Sequence, residues 1–232
     1  MNPLSGYLQD FTDLFFPDLC AACGKYLFKN ERVICTDCIF HLPYTQYHQN
    51  PENRVAKQLW GRFPFVQASA FVYFQKGNKV QNMMHQLKYN NRPETGFRLG
   101  ELYAQDLMRS LKWENPDAIL PVPLHPKKKR KRSYNQSEFI ANGMASVLNI
   151  PVMVNNLIRE TDTATQTKRT RFARYENMKQ AFFITKPELL INKHLLLVDD
   201  VITTGATLEA CSIELLKLKN VRISILTIAF AE

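Results

Sequence analysis

The sequence predicts an α/β protein whose main domain is a mainly parallel sheet flanked by helices, preceded by a small four-cysteine module. Three observations carry this. Beyond residue 66, short apolar stretches of strand length alternate with stretches in which apolar residues recur every three or four positions. Four of the five cysteines fall in two C-x2-C pairs near the N-terminus. One apolar stretch ends in two adjacent aspartates followed by a loop of threonines and a glycine, as a strand feeding a ligand-binding loop does.

Taken in order, Leu4, Leu8, Phe11, Leu14 and Phe15 lie on one face of a helix over residues 4–16, which Pro17 ends. With the cysteines that follow, this makes an N-terminal unit over residues 1–45. Residues 46–65 mix aromatics, prolines and scattered charges without a sustained period and read as a connector with room for one short helix. The main domain, 66–232, then opens with a strand over 66–74, helices over 79–89 and 96–111, and a short buried strand over 118–122. After a basic run come a helix over 137–148 and strands over 151–154 and 182–185. A strand over 194–198, a helix over 206–218 and a strand over 221–230 close the chain.

The 232 residues suffice for one full-sized domain and a small appendage. No apolar run approaches the roughly 18 residues that cross a bilayer, so no membrane span is expected. The N-terminus lacks the basic start and clean apolar stretch of a secretory leader, and the expected location is the cytoplasm. The formal charge is +9, of which Lys127, Lys128, Lys129, Arg130, Lys131 and Arg132 supply six. A surplus so concentrated points to a polyanionic partner, either nucleic acid or a phosphate-rich small molecule. The plainer reading is a solvated lysine-rich loop.

Cys20, Cys23, Cys35 and Cys38 form two knuckles, each able to turn both thiolates toward one ion, and Gly24 sits where a tight turn needs it. A reducing compartment disfavours a disulfide pair, and a redox C-x-x-C needs no second copy. Four protein ligands leave no position open for water, so the expected ion is a structural zinc. Cys211, inside a helical pattern, reads as a small buried apolar residue. His85, His125 and His194 have no acid or nucleophile at a telling spacing and are assigned no chemistry.

The strongest functional signal is HLLLVDDVITTGATLEA, residues 194–210. An apolar strand brings Asp199 and Asp200 to its C-terminal end, the edge at which open α/β sheets bind ligands. Backbone N–H groups, the hydroxyls of Thr203, Thr204 and Thr207 and the start of the next helix can all donate to one anion there, and Gly205 lets the backbone approach closely. The acids repel an anion but suit sugar hydroxyls or magnesium. Ribose 5-phosphate satisfies both halves. The plainer reading, a solvated strand end capping the next helix, does not account for the threonines and glycine together. A P-loop ATPase is excluded because none of the eight glycines opens a G-x4-G-K-[ST] loop.

The string VDDVITTGAT resembles the motif with which type I phosphoribosyltransferases bind 5-phosphoribosyl-1-diphosphate (PRPP). Four N-terminal cysteines, then PVPLHPKKKRKRSYNQSE (121–138), then RETDTATQTKRTRFARYENMKQAF (159–182), then this motif, together resemble the ComF family of ComFC-like and GntX-like proteins over essentially the whole chain. The resemblance implies a type I phosphoribosyltransferase-like fold. It implies that Asp199 and Asp200 meet the ribose hydroxyls, and that Val201, Thr203, Thr204, Gly205, Ala206 and Thr207 hold the 5-phosphate. Pro123 and Leu124 correspond to the loop that meets the diphosphate, and Lys88 matches a lysine common in the family. The polar segment carrying Thr165, Gln166, Arg169 and Arg171 corresponds to the flexible loop that closes over PRPP. Magnesium accompanies PRPP. One departure stands out: Ser133 replaces the glycine of the family's R-x-R-R-G-[FY]-N-Q pattern.

Two classes of function follow. In one, the chain transfers a phosphoribosyl group to a nucleobase or another small acceptor in salvage metabolism, by electrostatic and positioning effects without a covalent nucleophile. No acceptor-specificity element is recognisable in SILTIAFAE at the C-terminus. In the other, implied by the family's link to DNA uptake in natural transformation, it binds PRPP and single-stranded DNA, with a DNA-uptake helicase or other competence proteins as partners. Asn135 and Gln136 either hold the loop before them or touch ligand.

Overall fold

The computed structural model describes residues 18–110, 112–159 and 182–231. The expected helix over 4–16 and the loop residues Thr165, Gln166, Arg169 and Arg171 lie outside them. Four parallel strands form the main sheet in the order β1-β6-β5-β2: β1 (Ala68–Phe74), β2 (Ala118–Pro121), β5 (His194–Ile202) and β6 (Arg222–Ala231). Period-two alternation sends successive side chains of the central strands to opposite faces. Leu196 and Val198 of β5 and Leu226 and Ile228 of β6 face one core, while Leu195, Leu197, Ile223 and Ile225 face the other. Both faces are covered, which explains why these strands read as continuous apolar runs.

On the first face lie α3 (Lys79–Tyr89), α4 (Glu94–Met108) and α6 (Gln136–Leu148). The last two helices cross backbone to backbone: a Cβ on Gly100 would stand 2.2 Å from the Ile140 carbonyl oxygen, and one on Gly143 2.0 Å from that of Phe97. The cysteine module, including α1 (Thr36–Phe40), packs into the same core through Cys20, Ile34, Cys35 and Cys38. On the second face lie α7 (Ala206–Leu215) and the connector, whose Tyr47, Val55, Ala56, Leu59 and Phe63 are buried there. The connector forms a 3-10 turn (Tyr47–Gln49) and α2 (Arg54–Leu59). Asn53 caps α2 at Ala56 N–H (3.0 Å) and donates to the Ala68 carbonyl (2.7 Å), tying the connector to β1.

Three elements differ from expectation. The basic run is the helix α5 (Pro126–Arg132), not a loop: Pro126 occupies the first turn, lysine and arginine are good helix formers, and the cations sit toward the negative end of the helix dipole. The strand expected over 151–154 contracts to a parallel bridge between Val152 and Ile119. Beyond it, β3 (Leu157–Arg159) and β4 (Phe182–Ile184) pair antiparallel in a separate two-stranded sheet. Finally, β5 continues to Ile202 because Asp199 and Val201 remain in register with Thr227 and Ala229 of β6, so both acids lie within the strand.

Candidate functional site

Parallel strands present their C-terminal ends at one edge, where β5, β2 and the starts of α6 and α7 meet. A cavity of about 190 Å³ there is lined by Asp199, Asp200, Val201, Thr207, Lys88, Pro123, Leu124, Gln136, Ser137 and Arg159 among others. The structure thus brings together the acids, the lysine and the β2 loop named from sequence. Asp199 Oδ1 accepts from the Ser137 hydroxyl (3.0 Å) and from the Asp200 N–H (2.8 Å). Asp200 Oδ2 lies 2.9 Å from Lys88 Nζ at the end of α3. Burial and the neighbouring Asp200 carboxylate push Asp199 up to about 7, against the pull of those two hydrogen bonds and of Lys88.

Beside it, Asp199 and residues 201–208 enclose a smaller cup. Gly205 adopts φ 74°, turning the chain into α7, and Thr204 Oγ1 accepts from Ala206 N–H at 3.4 Å. The connector holds this loop from behind. Gln58 donates through Nε2 to the Thr203 carbonyl, and Arg62 Nη1 donates to that of Thr204 (2.6 Å) while its Nε lies 3.4 Å from Glu209. In a trans peptide the C=O and the following N–H point oppositely. Carbonyls drawn toward the connector therefore turn the N–H groups of Thr204 and Gly205 away from it, toward the cup. Sequence reading missed Gln58 and Arg62, which lie among unpatterned aromatics, and Ser137, an ordinary residue of a helix start.

The SYNQ stretch explains itself in three dimensions. Ser133 takes φ 67° at the C-terminus of α5, where glycine is favoured. Tyr134 donates to the Leu87 carbonyl, next to Lys88. Asn135 donates to the Val122 carbonyl (3.0 Å) and caps α6, so it holds the β2 loop. Arg132 stacks on Tyr89, 5.5 Å from the ring centre, and donates to Gln136 Oε1 (3.0 Å).

The basic helix divides by face. Lys128 and Arg132 line the acid cavity, while Lys129 and Arg130 line a larger cavity of about 510 Å³ on the other side of Pro123, Leu124 and Arg159. Lys127 and Lys131 line neither cavity and are exposed.

Away from this edge, Cys20, Cys23, Cys35 and Cys38 place their sulfurs within 4.8 Å of one another, and none is in a disulfide. A tetrahedral zinc with Zn–S bonds of about 2.3 Å needs sulfurs about 3.8 Å apart, and Cys23 and Cys35 meet that at 3.8 Å. Burial resists ionisation of Cys20, but backbone N–H groups of Cys35, Cys23 and Ala22 bring it down to about 7. The donor set fits a zinc module. Its outer side is tied to α3 by Asn82, which donates to the Ala22 carbonyl (2.9 Å), and by Lys79, 3.4 Å from Asp37. Among the described residues, no helix is long and apolar enough to cross a membrane.

Residues 85–231 match the family model described as "Phosphoribosyl transferase domain". The chain is 34% identical over 209 residues to competence protein F of Haemophilus influenzae, covering 86% of this chain and 85% of that protein. It is 27% identical over 197 residues to DNA utilization protein YhgH of Escherichia coli K12, covering 82% and 80%. Among solved structures it is similar, at 19% identity and a TM-score of 0.41, to the glutamine PRPP amidotransferase from B. subtilis complexed with ADP and GMP. That likeness covers 61% of this chain, which spans about 30% of the amidotransferase.

Proposed function

Because the chain belongs to the phosphoribosyl transferase domain family, among its competence protein F-like members, we propose that it binds PRPP with magnesium at the β5 edge and acts in DNA uptake, in the cytoplasm, through single-stranded DNA. The carrying observation is the juxtaposition of an anion cup at the start of α7 with two carboxylates on the same strand end. The 5-phosphate goes to the N–H groups and hydroxyls of residues 203–207, the ribose hydroxyls to Asp199 and Asp200, and the diphosphate toward Pro123, Leu124 and the cations of α5. Magnesium would be held at the acid pair and would neutralise diphosphate charge when bound. Lys88 already neutralises Asp200 and is positioned to exchange that partner for the diphosphate. Thr165, Gln166, Arg169 and Arg171 are assigned to a closing loop. Partners would be a DNA-uptake helicase or other competence proteins. The 510 Å³ cavity, contiguous with the acid cavity, favours a second reading in which a nucleobase or other small acceptor takes the phosphoribosyl group.

The division of α5 supplies the test. Replacing Lys127 and Lys131 by alanine is expected to weaken oligothymidylate binding and flatten its log-log salt slope by about 1.4, at about 0.7 per phosphate contact, with PRPP affinity unchanged. Replacing Lys128 and Arg132 is expected to weaken both. Unaltered DNA affinity and slope in both variants would leave α5 to the diphosphate alone, and absence of PRPP binding by the wild type would remove the premise.

We propose further that the four cysteines hold one structural zinc. Metal analysis of protein purified without chelator is expected to find about one equivalent, and chelation to lower the melting temperature, since the module shares the first core. An intact fold with two disulfides and no metal would refute this.

A further inference from the structure

We propose that the side-chain amide of Gln136 and the Nε of Arg159 are ligand donors that read the diphosphate end of the bound molecule. The inference rests on the PRPP reading of the acid cavity and assigns residues that the ribose and 5-phosphate contacts do not use.

Gln136 is the first residue of α6, is only 1% exposed, and lines the acid cavity. Its two amide ends differ. Oε1 accepts from Arg132 Nη1 at 3.0 Å, and because a guanidinium only donates, this fixes which way the amide is flipped. Nε2 is then committed to donating, yet it is buried and has no acceptor among the described residues. Arg159 repeats the pattern at the end of β3: its guanidinium stacks on Phe182, 5.2 Å from the ring centre, it lines the same cavity, and its Nε is buried without a partner among the described residues. A buried donor left without an acceptor destabilises the fold, and two on one cavity wall imply an acceptor that arrives with the ligand.

The charges on that wall identify the acceptor. The carboxylates are already engaged, Asp199 by Ser137 and Asp200 by Lys88. What lines the cavity without a carboxylate partner among the described residues is positive or donating: Lys128, Arg132, Arg159 and the Gln136 amide. An oxyanion with several closely spaced charges, a diphosphate, satisfies them together. The 5-phosphate has its own cup on the far side of the acids, and DNA phosphates also have the outward Lys127 and Lys131.

The test is calorimetric titration of the full chain with PRPP, inorganic pyrophosphate, ribose 5-phosphate and oligothymidylate, magnesium present throughout. Gln136→Met is expected to bind PRPP and pyrophosphate at least about tenfold more weakly, with ribose 5-phosphate and oligothymidylate affinities within about twofold of wild type. Its melting temperature is expected to stay equal or rise, because an unmatched buried donor has been removed. Gln136→Glu keeps the acceptor for Arg132, replaces the donor with an anion, and is expected to lose pyrophosphate more completely. Wild-type pyrophosphate affinity in both variants, or a lowered melting temperature with all ligands weakened alike, would overturn the inference while ribose 5-phosphate binding by the wild type preserved the PRPP reading. If the wild type binds neither PRPP nor ribose 5-phosphate, the reading beneath it fails as well.

Discussion

Changing Asp199 and Asp200 together to asparagine is expected to lower PRPP affinity a hundredfold or more and to leave the fold at least as stable at pH 8. Each contact to an ionised group is worth about 1.5–3 kcal/mol, and two such losses reach the hundredfold range. The stability half of the expectation follows from sign. Asp199 is raised to about 7 by burial and by Asp200. The folded chain therefore holds a proton where the unfolded chain has released it, and the stability present below the ordinary carboxylate range is lost as pH climbs to about 7. Asparagine cannot ionise, so that loss disappears. Lys88 loses its partner but keeps 21% of its side-chain surface in solvent, which limits the cost of unpairing. In the wild type, hydroxyl groups and magnesium favour the ionised acid, so PRPP affinity is expected to increase with pH and level off above about 7. Calorimetry from pH 5.5 to 8.5 with thermal melts at each pH checks both halves. A double variant that binds PRPP as the wild type does would dismiss the acids from the site.

Much of this site was legible because its signals are local. An apolar strand, two acids, threonines and a glycine occupy the thirteen consecutive residues 195–207, and the two C-x2-C pairs span nineteen. The strands of the main sheet were readable for the same reason, since β5 and β6 are buried on both faces and show as unbroken apolar runs. What escaped depends on residues far apart in sequence. Gln58 and Arg62 acquire a role only because the connector folds back onto a loop more than 140 positions away, and no local pattern marks them. The basic run escaped in another way: its sequence has no apolar period to assign an element from and its plainer reading is a solvated loop, whereas Pro126 at the first turn and Ser133 at the positive-φ end delimit a helix. The single bridge at Val152 fell short of a strand. Pro151 before it has no N–H to offer, and the chain turns away toward β3.

Gly205→Val is expected to lower the melting temperature by roughly 5–15 °C and to weaken ribose 5-phosphate binding more than about tenfold. The reason is not a side chain intruding on the phosphate. A Cβ at this position would point to the connector, 2.8 Å from Leu59 Cδ2 and 2.9 Å from Arg62 Nη1. Leu59 is fully buried and Arg62 is held by the Thr204 carbonyl, so neither yields freely. Two costs add: about 1–2 kcal/mol for a branched residue in the left-handed region, and about 1–3 kcal/mol for overpacking. Relief comes by moving the loop off the connector, which releases the carbonyls of Thr203 and Thr204 and lets their peptide planes rotate. The N–H groups then no longer converge on the cup. Gly77 separates the two costs, because it too has positive φ, 79°, but a Cβ there meets nothing within 4 Å. Gly77→Val should show the conformational cost alone, a smaller fall in melting temperature with ribose 5-phosphate affinity intact. If Gly205→Val melts lower yet binds ribose 5-phosphate like the wild type, the connector contributes stability only, and the aim of the loop amides is set within the loop itself.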